Sequence, residues 1–398
     1  MDAEIIIKWE FIGCGEVTEK KSGPAFSLVP GSKIEAVMSV IKKKHVRTPK
    51  GTVSPNGHTD AQELVDDPDV NAVYIATPPS SHATFAIMAM KAGKPVYVEK
   101  PLAVSYEECC RINRVSQQTG VPCFVAYYRR YLPYFAKVKE LIRSGAIGRV
   151  LNVQIRFAVP PRDLDYNSRE LPWRVQRDIA GGGYFYDLAP HQLDLLQEFF
   201  GPIIKAHGYC SNREGLYATE DNVSACFQFP DGTPGSGSWC FVAHESAKTD
   251  RIEIIGDKGQ ICFSVFTYDP IALHTERGRE ELVIPNPDHV QLPLIHNIVE
   301  HLQKQAICTC DSVSAHRLIG LWTRSWENCK MKLRNALIIH ACLLCFSASA
   351  QSPIGEACTA VTEFADSAKT AIPSDLAPKT ERKYHSNNFF RDVQPPLA

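Results

Sequence analysis

The chain has 398 residues, which is enough for two domains with separate hydrophobic cores. Its hydrophobic fraction of 44% and its charged fraction of 22% are those of an ordinary globular protein. The formal net charge of -1 excludes a general electrostatic attraction to nucleic acid or to an anionic membrane.

The cysteines and the start of the chain predict a compartment. The 14 cysteines are scattered, and the acidic start, Met1 to Glu4, does not look like a secretory or organelle signal. We therefore expect reduced thiols and a cytoplasmic protein. The apolar run from Ala336 to Ala350 is broken by His340 and Ser347 and is shorter than the roughly 20 residues that a membrane-spanning helix needs. No membrane partner is expected.

The first third of the chain alternates between strand and helix patterns. Residues 5–12 are rich in β-branched and aromatic types and run into a glycine turn, after which residues 16–29 can be helical. Further strands are predicted at 33–40, 72–76, 95–98 and 121–126, with helices at 83–92 and 106–119. This alternation predicts a doubly wound parallel sheet that binds its ligand at the carboxyl ends of the strands.

After a helix at 133–144 the pattern changes to successive strands with few helices. Strands are predicted at 150–157, 222–229, 235–242, 251–255 and 260–265, and helices at 183–200 and 289–305. The fold class is therefore α/β, with a parallel-sheet domain followed by an α+β domain whose open sheet is largely antiparallel. The predicted boundaries are 1–128, 129–328 and an irregular appendage of unknown role at 329–398.

The turn after the first strand has the spacing of a phosphate cradle. Gly13 permits a tight turn, and Gly15 lets the backbone approach a pyrophosphate whose charge meets the amides at a helix start. Thr18 takes the third position of this fingerprint, where a small side chain is needed. A Gly-x-Gly turn alone is as often structural, so its place after the first strand of a βα series carries the prediction.

The end of the second strand predicts which dinucleotide is bound. Ser39 and the three lysines at 42–44 occupy the place where an acidic residue would bind the ribose 2′-hydroxyl of NAD. Their charge slightly favours the 2′-phosphate of NADP, although a solvated lysine cluster explains them equally well. The polar segment 42–57 does not have the pattern of a crossover helix.

The turn after the third strand contains Thr77, Pro78 and His82, which suits a loop passing over a cofactor. A capped turn without a ligand is the other interpretation.

Lys100 follows the fourth strand, between Glu99 and Pro101. At the carboxyl end of a parallel strand its ammonium can reach the nicotinamide and the oxygen of a substrate, where hydride transfer requires a proton donor or acceptor. A single lysine is far more often a surface residue, so the position of Lys100 carries this hypothesis.

Asp187 and His191 stand four residues apart on a predicted helix that follows three glycines, 181–183. This spacing places them on one helix face, where a carboxylate can orient an imidazole or share its proton load, and histidine titrates near neutral pH. Such a pair is more often a surface or capping contact. We predict no metal site, because no third ligand has suitable spacing.

Aromatic and arginine residues are the remaining candidates for the substrate cleft. Tyr128, Trp173 and Arg174 are predicted to line it, and domain-interface packing is the alternative. Arg130 gains no such assignment, and His289 is a weaker candidate for a substrate contact.

These motifs together resemble the glucose–fructose oxidoreductase / inositol dehydrogenase / MocA family over residues 5–328. The matching segments are residues 11–18 (FIGCGEVT), 76–82 (ATPPSSH), 98–102 (VEKPL) and 181–191 (GGGYFYDLAPH). The resemblance implies a Rossmann domain followed by an α+β domain, and NAD(P)-dependent oxidation or reduction of a sugar, cyclitol or related polyol. It also implies that the open sheet of the second domain can form a homo-oligomer interface.

The resemblance further implies residue roles. Lys100 would contact nicotinamide and substrate, His191 would donate or accept the proton, and Asp187 would assist it. The cofactor-binding residues implied are Gly13, Cys14, Gly15, Val17, Ser39, Thr77, Pro78, His82, Glu99 and Lys100.

Two other functions compete with a polyol dehydrogenase. A catalytically silent dinucleotide-binding regulator or scaffold would explain the unusual segment 42–57 and the C-terminal appendage. A hydrolase or lyase with a tightly held cofactor that cycles internally would keep the same fold, and net turnover of added cofactor would distinguish it.

Overall fold

The computed structural model describes residues 5–13, 18, 22–38, 66–317 and 320, and two β-sheets organise them. The predictions for Cys14, Gly15, Val17, Ser39, the segment 42–57 and the appendage 329–398 lie outside the described residues.

The first sheet has five parallel strands. They are β1 (Ile7–Ile12), β2 (Ser32–Met38), β3 (Ala72–Ile75), β4 (Val96–Val98) and β5 (Cys123–Val125), in the order β2-β1-β3-β4-β5. The helices of this region are α1 (Gly23–Leu28), α2 (His82–Lys91) and α3 (Tyr106–Thr119). The strand order reverses its direction between β1 and β3, and open sheets of this kind bind ligands at that switch point.

The two faces of β1 meet different surroundings, because successive side chains of a strand point to opposite sides. Trp9 and Phe11 pack edge-on against Phe26 of α1, with ring centroids 5.0 Å and 4.7 Å apart. Glu10, between them in sequence, is fully buried, and neither of its carboxylate oxygens has a hydrogen-bond partner among the residues that the structure describes. The first core is therefore aromatic on one side of β1 and holds a lone carboxyl group on the other.

The second sheet has eight strands. They are β6 (Val150–Ala158), β7 (Lys205–Ser211), β8 (Asn222–Gln228), β9 (Pro234–Cys240), β10 (Thr249–Gly256), β11 (Gly259–Phe263), β12 (Ile271–Thr275) and β13 (Gly278–Leu282). Their order is β13-β12-β11-β10-β6-β9-β8-β7, in which β6 and β9 pair in parallel and the other neighbours are antiparallel.

Four helices belong to this half of the described chain: α4 (Pro133–Arg143), α5 (Arg177–Ala180), α6 (Tyr184–Phe200) and α7 (Leu292–Leu302). Helix α6 is fixed to the inner face of the second sheet by two residues. Phe185 packs edge-on against Trp239 of β9 at 4.9 Å, and the Trp239 indole donates a hydrogen bond of 2.6 Å to Gln192. This packing sets the rotation of α6 about its axis.

The predicted fold class is confirmed, since a parallel sheet is followed by a mostly antiparallel one. The sequence missed β7, β12 and β13. These strands lie at or beside the two edges of the second sheet, and β13 is mostly exposed and charged, so it lacks the apolar alternation that predicts a strand. Within the described residues, no helix has the length and apolarity needed to cross a membrane.

Candidate functional site

Gly13 directly follows β1 and has a backbone conformation that favours glycine. Its φ is +96°, and a Cβ there would lie 2.9 Å from the carbonyl carbon of Ala76 and from the amide nitrogen of Thr77. The Thr18 hydroxyl donates a hydrogen bond of 3.2 Å to the Gly13 carbonyl. The loops that follow β1 and β3 therefore touch, and Thr18 braces the start of the turn.

His82 braces the next pair of loops. Its side chain is fully buried, with Nε2 2.8 Å from the Thr77 carbonyl and Nδ1 3.0 Å from the Pro101 carbonyl. Burial lowers the pKa of this imidazole, against the two carbonyls, which raise it. Both ring nitrogens are engaged by main chain, so His82 links the loops that follow β3 and β4.

The turn between these loops is held by its own residues. The Ser81 hydroxyl donates to Thr77 Oγ1 at 2.6 Å, and the Ser81 amide donates to the Pro78 carbonyl at 3.1 Å. Thr77 and Pro78 thus lie beside Gly13, at the carboxyl end of β3 and at the switch point of the sheet.

Glu99 is anchored inside the protein. Tyr74 donates a hydrogen bond of 2.8 Å, and Gln291 one of 2.7 Å, to the same carboxylate oxygen of Glu99. Tyr97 in turn donates to the Gln291 side chain at 2.8 Å. This network fixes the main chain that carries Lys100. Gln291, which precedes α7, belongs to no motif from which it could have been selected.

Lys100 reaches across to α6, where its ammonium meets two oxygens of one residue. The Nζ atom lies 2.5 Å from the Asp187 carboxylate and 2.9 Å from the Asp187 carbonyl. Arg174 binds the other carboxylate oxygen at 3.2 Å. Burial alone would raise the pKa of the Asp187 carboxyl, but the two cations outweigh burial and hold it below its ordinary value.

His191 has a different partner from the one expected. A guanidinium nitrogen of Arg129 lies 2.9 Å from His191 Nδ1. The sequence predicted that Asp187 would orient this imidazole, but the Asp187 carboxylate binds Lys100 and Arg174 instead. That prediction was wrong, because two nearby cations compete for the carboxylate more strongly than a neutral ring does.

The imidazole of His191 is buried, at 5% exposure. Burial, with the charges of Arg129 and Lys100, lowers its pKa well below the ordinary value of 6.5. The ring is therefore neutral at physiological pH.

The predicted aromatic residues lie around these groups. The ring centroid of Tyr128 is 5.8 Å from that of His191, and its hydroxyl accepts a hydrogen bond of 2.9 Å from Arg129. The guanidinium of Arg174 lies 4.4 Å from the ring centroid of Trp173. The structure therefore brings Tyr128, Trp173 and Arg174 to the same site as Lys100, Asp187 and His191.

Arg129 is the central residue that sequence reasoning missed. It stands between Tyr128, which was selected, and Arg130, which was not, and nothing in that local sequence distinguishes the two arginines. Arg130 turns the other way and binds Asp194 and Glu198 of α6. Only the packing of α6 against this turn separates their roles.

The described residues fit a nicotinamide dinucleotide. Gly13 and the Thr77 turn lie at the switch point of a parallel sheet, where the main chain can approach a pyrophosphate. Lys100 follows the neighbouring strand β4 and is paired with Asp187 of the second half. The site can therefore hold a dinucleotide along the sheet edge, with Lys100 and His191 left to act on a substrate.

Comparison with known families agrees with this geometry. A family model described as an oxidoreductase family with an NAD-binding Rossmann fold matches residues 7–127, and one described as the GFO/IDH/MocA C-terminal domain matches residues 135–262.

Among curated proteins, oxidoreductase P35 of Formosa agariphila is 38% identical over 295 residues, which cover 74% of this chain and 90% of that protein. The scyllo-inositol 2-dehydrogenase (NAD(+)) of Bacillus subtilis is 26% identical over 294 residues, covering 70% and 80% respectively.

Among solved structures, levoglucosan dehydrogenase in complex with NADH and levoglucosan superposes with a TM-score of 0.72 at 24% identity. The superposition covers 81% of this chain and 97% of that one, and it shows the shared fold.

Proposed function

Because this chain belongs to the GFO/IDH/MocA family of NAD-binding oxidoreductases, we propose that it transfers a hydride between a nicotinamide cofactor and a carbinol carbon of a sugar, cyclitol or related polyol. The observation that carries this proposal is the convergence of Lys100, Asp187 and His191 beside the switch point of the parallel sheet. Relatives named for action on scyllo-inositol and on levoglucosan support this substrate class.

The nicotinamide, when bound, supplies or accepts the hydride. The protein must then manage the proton and the negative charge on the reacting oxygen. The Lys100 ammonium is held by the carboxylate and the carbonyl of Asp187, so its direction is fixed by two hydrogen bonds. His191, neutral and buried on the next turn of α6, is the second polar group available to that oxygen.

The choice between NAD and NADP depends on the end of the second strand. Ser39 and the lysines at 42–44 favour the 2′-phosphate of NADP on charge grounds. Titration of the purified protein with NADH and with NADPH, followed by nicotinamide fluorescence, tests this preference. Tighter binding of NADPH is expected, and tighter binding of NADH would contradict the preference without contradicting the family.

Turnover separates the proposed enzyme from a silent binding protein. Inositols, levoglucosan and simple aldoses, each offered with the oxidised cofactor that binds, should include at least one that yields reduced cofactor in proportion to substrate consumed. Lys100→Met is the matched control, because it keeps the length of the side chain but cannot transfer a proton. A protein that binds cofactor, yet turns over none with any of these polyols, would contradict the proposed function.

The outer face of the second sheet is the proposed contact for a homo-oligomer. Strand β6 exposes Gln154 and Arg156, and β9 exposes Pro234, Ser236 and Ser238, each alternating with buried residues, so this face is not covered by the described residues. Sedimentation of the purified protein should give a dimer or a larger assembly, and a monomer at micromolar concentration would contradict this part of the proposal.

A further inference from the structure

Arg129 is held in a fixed position beside His191. Its guanidinium lies 4.9 Å from the ring centroids of both Tyr128 and Phe266, and its Nε donates a hydrogen bond of 3.1 Å to the Val265 carbonyl. The residue is buried, at 6% exposure. Because the side chain is enclosed on two sides and bonded on a third, the nitrogen that faces His191 has little freedom to move.

The loop that supplies these contacts is itself anchored. One carboxylate oxygen of Asp250 accepts hydrogen bonds from three successive amides, those of Val265, Phe266 and Thr267. The position of Arg129 is therefore set by the second sheet, through β10, rather than by the short turn that carries it.

The chemistry of the two groups determines which nitrogen of His191 bears a proton. A guanidinium has five N–H donors and no acceptor, and it keeps its charge throughout the accessible pH range. The 2.9 Å contact can exist only if His191 Nδ1 accepts the hydrogen bond. Nδ1 therefore carries no proton.

The remaining nitrogen of the ring must then carry the hydrogen. The imidazole is neutral, since burial and the charges of Arg129 and Lys100 disfavour its protonated form. A neutral imidazole with a bare Nδ1 has its proton on Nε2. Among the residues that the structure describes, Nε2 has no hydrogen-bond partner, so its N–H is available to a ligand.

We propose that Arg129 is a positioning residue that fixes the Nε2–H tautomer of His191, so that His191 donates a hydrogen bond to the reacting oxygen and Lys100 transfers the proton. The inference rests on the proposed function for its substrate. It departs from the role that the sequence resemblance implies for His191. An Nε2 that already bears a proton cannot accept another, and a neutral imidazole is too weak an acid to give up its only N–H proton.

The proposed step balances in either direction. In reduction, the carbonyl carbon gains a hydride from reduced nicotinamide, the carbonyl oxygen gains a proton from the Lys100 ammonium, and Lys100 is left as an amine that solvent reprotonates. In oxidation, the Lys100 ammonium first gives one proton to solvent, and the hydroxyl proton then passes to the resulting amine as the carbon loses its hydride to oxidised nicotinamide. His191 keeps its own proton throughout and stabilises the charge that develops on oxygen.

Nitrogen NMR of histidine tests the tautomer directly, without cofactor or substrate. The protein is labelled with ¹⁵N-histidine, and the signals of His191 among the 13 histidines are assigned by their absence from His191→Gln. The expected pattern is a protonated Nε2 and an unprotonated Nδ1. A proton on Nδ1 in the wild-type protein would overturn the proposal.

Substitutions of the two neighbouring arginines show whether Arg129 sets that pattern. Arg129→Met removes the donor and should convert His191 to the other tautomer or to a mixture, whereas Arg129→Lys, which keeps a cationic donor, should preserve the wild-type pattern. Arg130→Met is the matched control, since it removes an equally enclosed arginine with different partners and should leave the His191 signals unchanged. Wild-type signals in Arg129→Met would overturn the positioning role.

Kinetics of two His191 variants distinguish a hydrogen-bond donor from a base. His191→Ala should lower kcat by about 10²–10³-fold, as loss of an oxyanion-type donor does. The amide of His191→Gln can donate a hydrogen bond but cannot accept a proton at neutral pH, so it should recover at least roughly tenfold of that loss, the worth of one hydrogen bond. Equal losses in both variants would overturn the donor role.

These results separate the inference from the function on which it rests. Absence of polyol turnover in the wild-type protein contradicts the proposed function alone, whereas the NMR pattern is measured in the resting protein and decides the tautomer whichever substrate is found.

Discussion

The two halves of α6 each present a pair of titratable residues, but the charged groups that surround the two pairs differ. The first half presents Asp187 and His191, and the second presents Asp194 and Glu198 at matching intervals along the same helix. Around the first half, Lys100 and Arg174 bind Asp187, and Arg129 binds His191. Around the second half, Arg130 binds both acids and Lys139 binds Glu198.

The difference between the halves is the balance of charge. In the second half two cations meet two carboxylates, so the cluster is neutral and its groups are saturated. In the first half three cations surround one carboxylate and a neutral ring, which leaves an excess of positive charge. A positive and preorganised cluster suits the stabilisation of negative charge on an oxygen, whereas a neutral cluster suits the packing of a turn against a helix.

Substitution of Lys100 gives the largest expected effect. Lys100→Ala removes the proton-transferring group from the first half, so kcat should fall by about 10²–10⁴-fold. It also leaves the buried Asp187 carboxylate with Arg174 as its remaining cation, so some loss of melting temperature is expected as well. Lys139→Ala removes a lysine from the second half and should leave kcat near the wild-type value. Steady-state kinetics and thermal melting of both variants measure this. Similar kcat values for the two variants would remove the functional distinction between the halves.

Loss of Arg130, in the second half of α6, should lower the stability of the protein and not its cofactor binding. Arg130→Met leaves the buried Asp194 carboxylate without its cation, and breaking a buried pair in this way costs about 3–5 kcal/mol of unfolding free energy. Urea denaturation measures that loss, and NADH binding by the folded variant should persist. Stability within about 1 kcal/mol of wild type would show that this cluster contributes far less than buried pairs usually do.

Glu10 extends the comparison to a buried carboxyl group that no cation of the described residues hydrogen-bonds. Burial raises its pKa to about 8, and the charge of Lys94 offsets this only in part. The folded protein therefore binds a proton more tightly than the unfolded chain, whose glutamate has a pKa near 4.5. The stability that this group contributes is complete below pH 4.5 and is lost as pH rises from 4.5 to about 8.

The size of that effect is up to about 1.4 kcal/mol for each pH unit in the window. Glu10→Gln has no such proton to lose, so denaturation curves between pH 5 and 8 should show that its stability declines less steeply than that of the wild type. Parallel declines for the two proteins would mean that Glu10 is not the group responsible.

Arg174 gives the smallest expected effect on the first half. Its side chain is about a third exposed, at 32%, so solvent screens its interaction with Asp187 more than that of Lys100, and screened ion pairs contribute roughly 0–1 kcal/mol. Arg174→Gln should therefore raise KM or lower kcat by at most about fivefold, with Lys100 still holding Asp187. Arg177→Gln, which breaks an exposed pair with Glu220, is the matched control. A loss as large as that of Lys100→Ala would mean that Arg174 takes part in the chemistry.

The fold could be predicted from the sequence wherever the burial of a strand leaves a recognisable run of apolar residues. The central parallel strands β3, β4 and β5 are buried throughout and read as short apolar runs, whereas β13 is exposed and charged and could not be recognised. In the site, strand-end position selected Lys100, and helical spacing selected Asp187 and His191. Their partners depend on packing between distant elements, which is why Arg129 was missed and why Asp187 was assigned to the wrong neighbour.

Asp187 offers Lys100 two acceptors of different kinds, a carboxylate that belongs to the side chain and a carbonyl that belongs to the main chain. A substitution at this position that leaves α6 intact deletes the first acceptor and keeps the second. The charge that balances the Lys100 ammonium and the hydrogen bond that orients it therefore come from different atoms. Mutation of Asp187 can remove the first, whereas the main chain of α6 supplies the second whatever side chain is present.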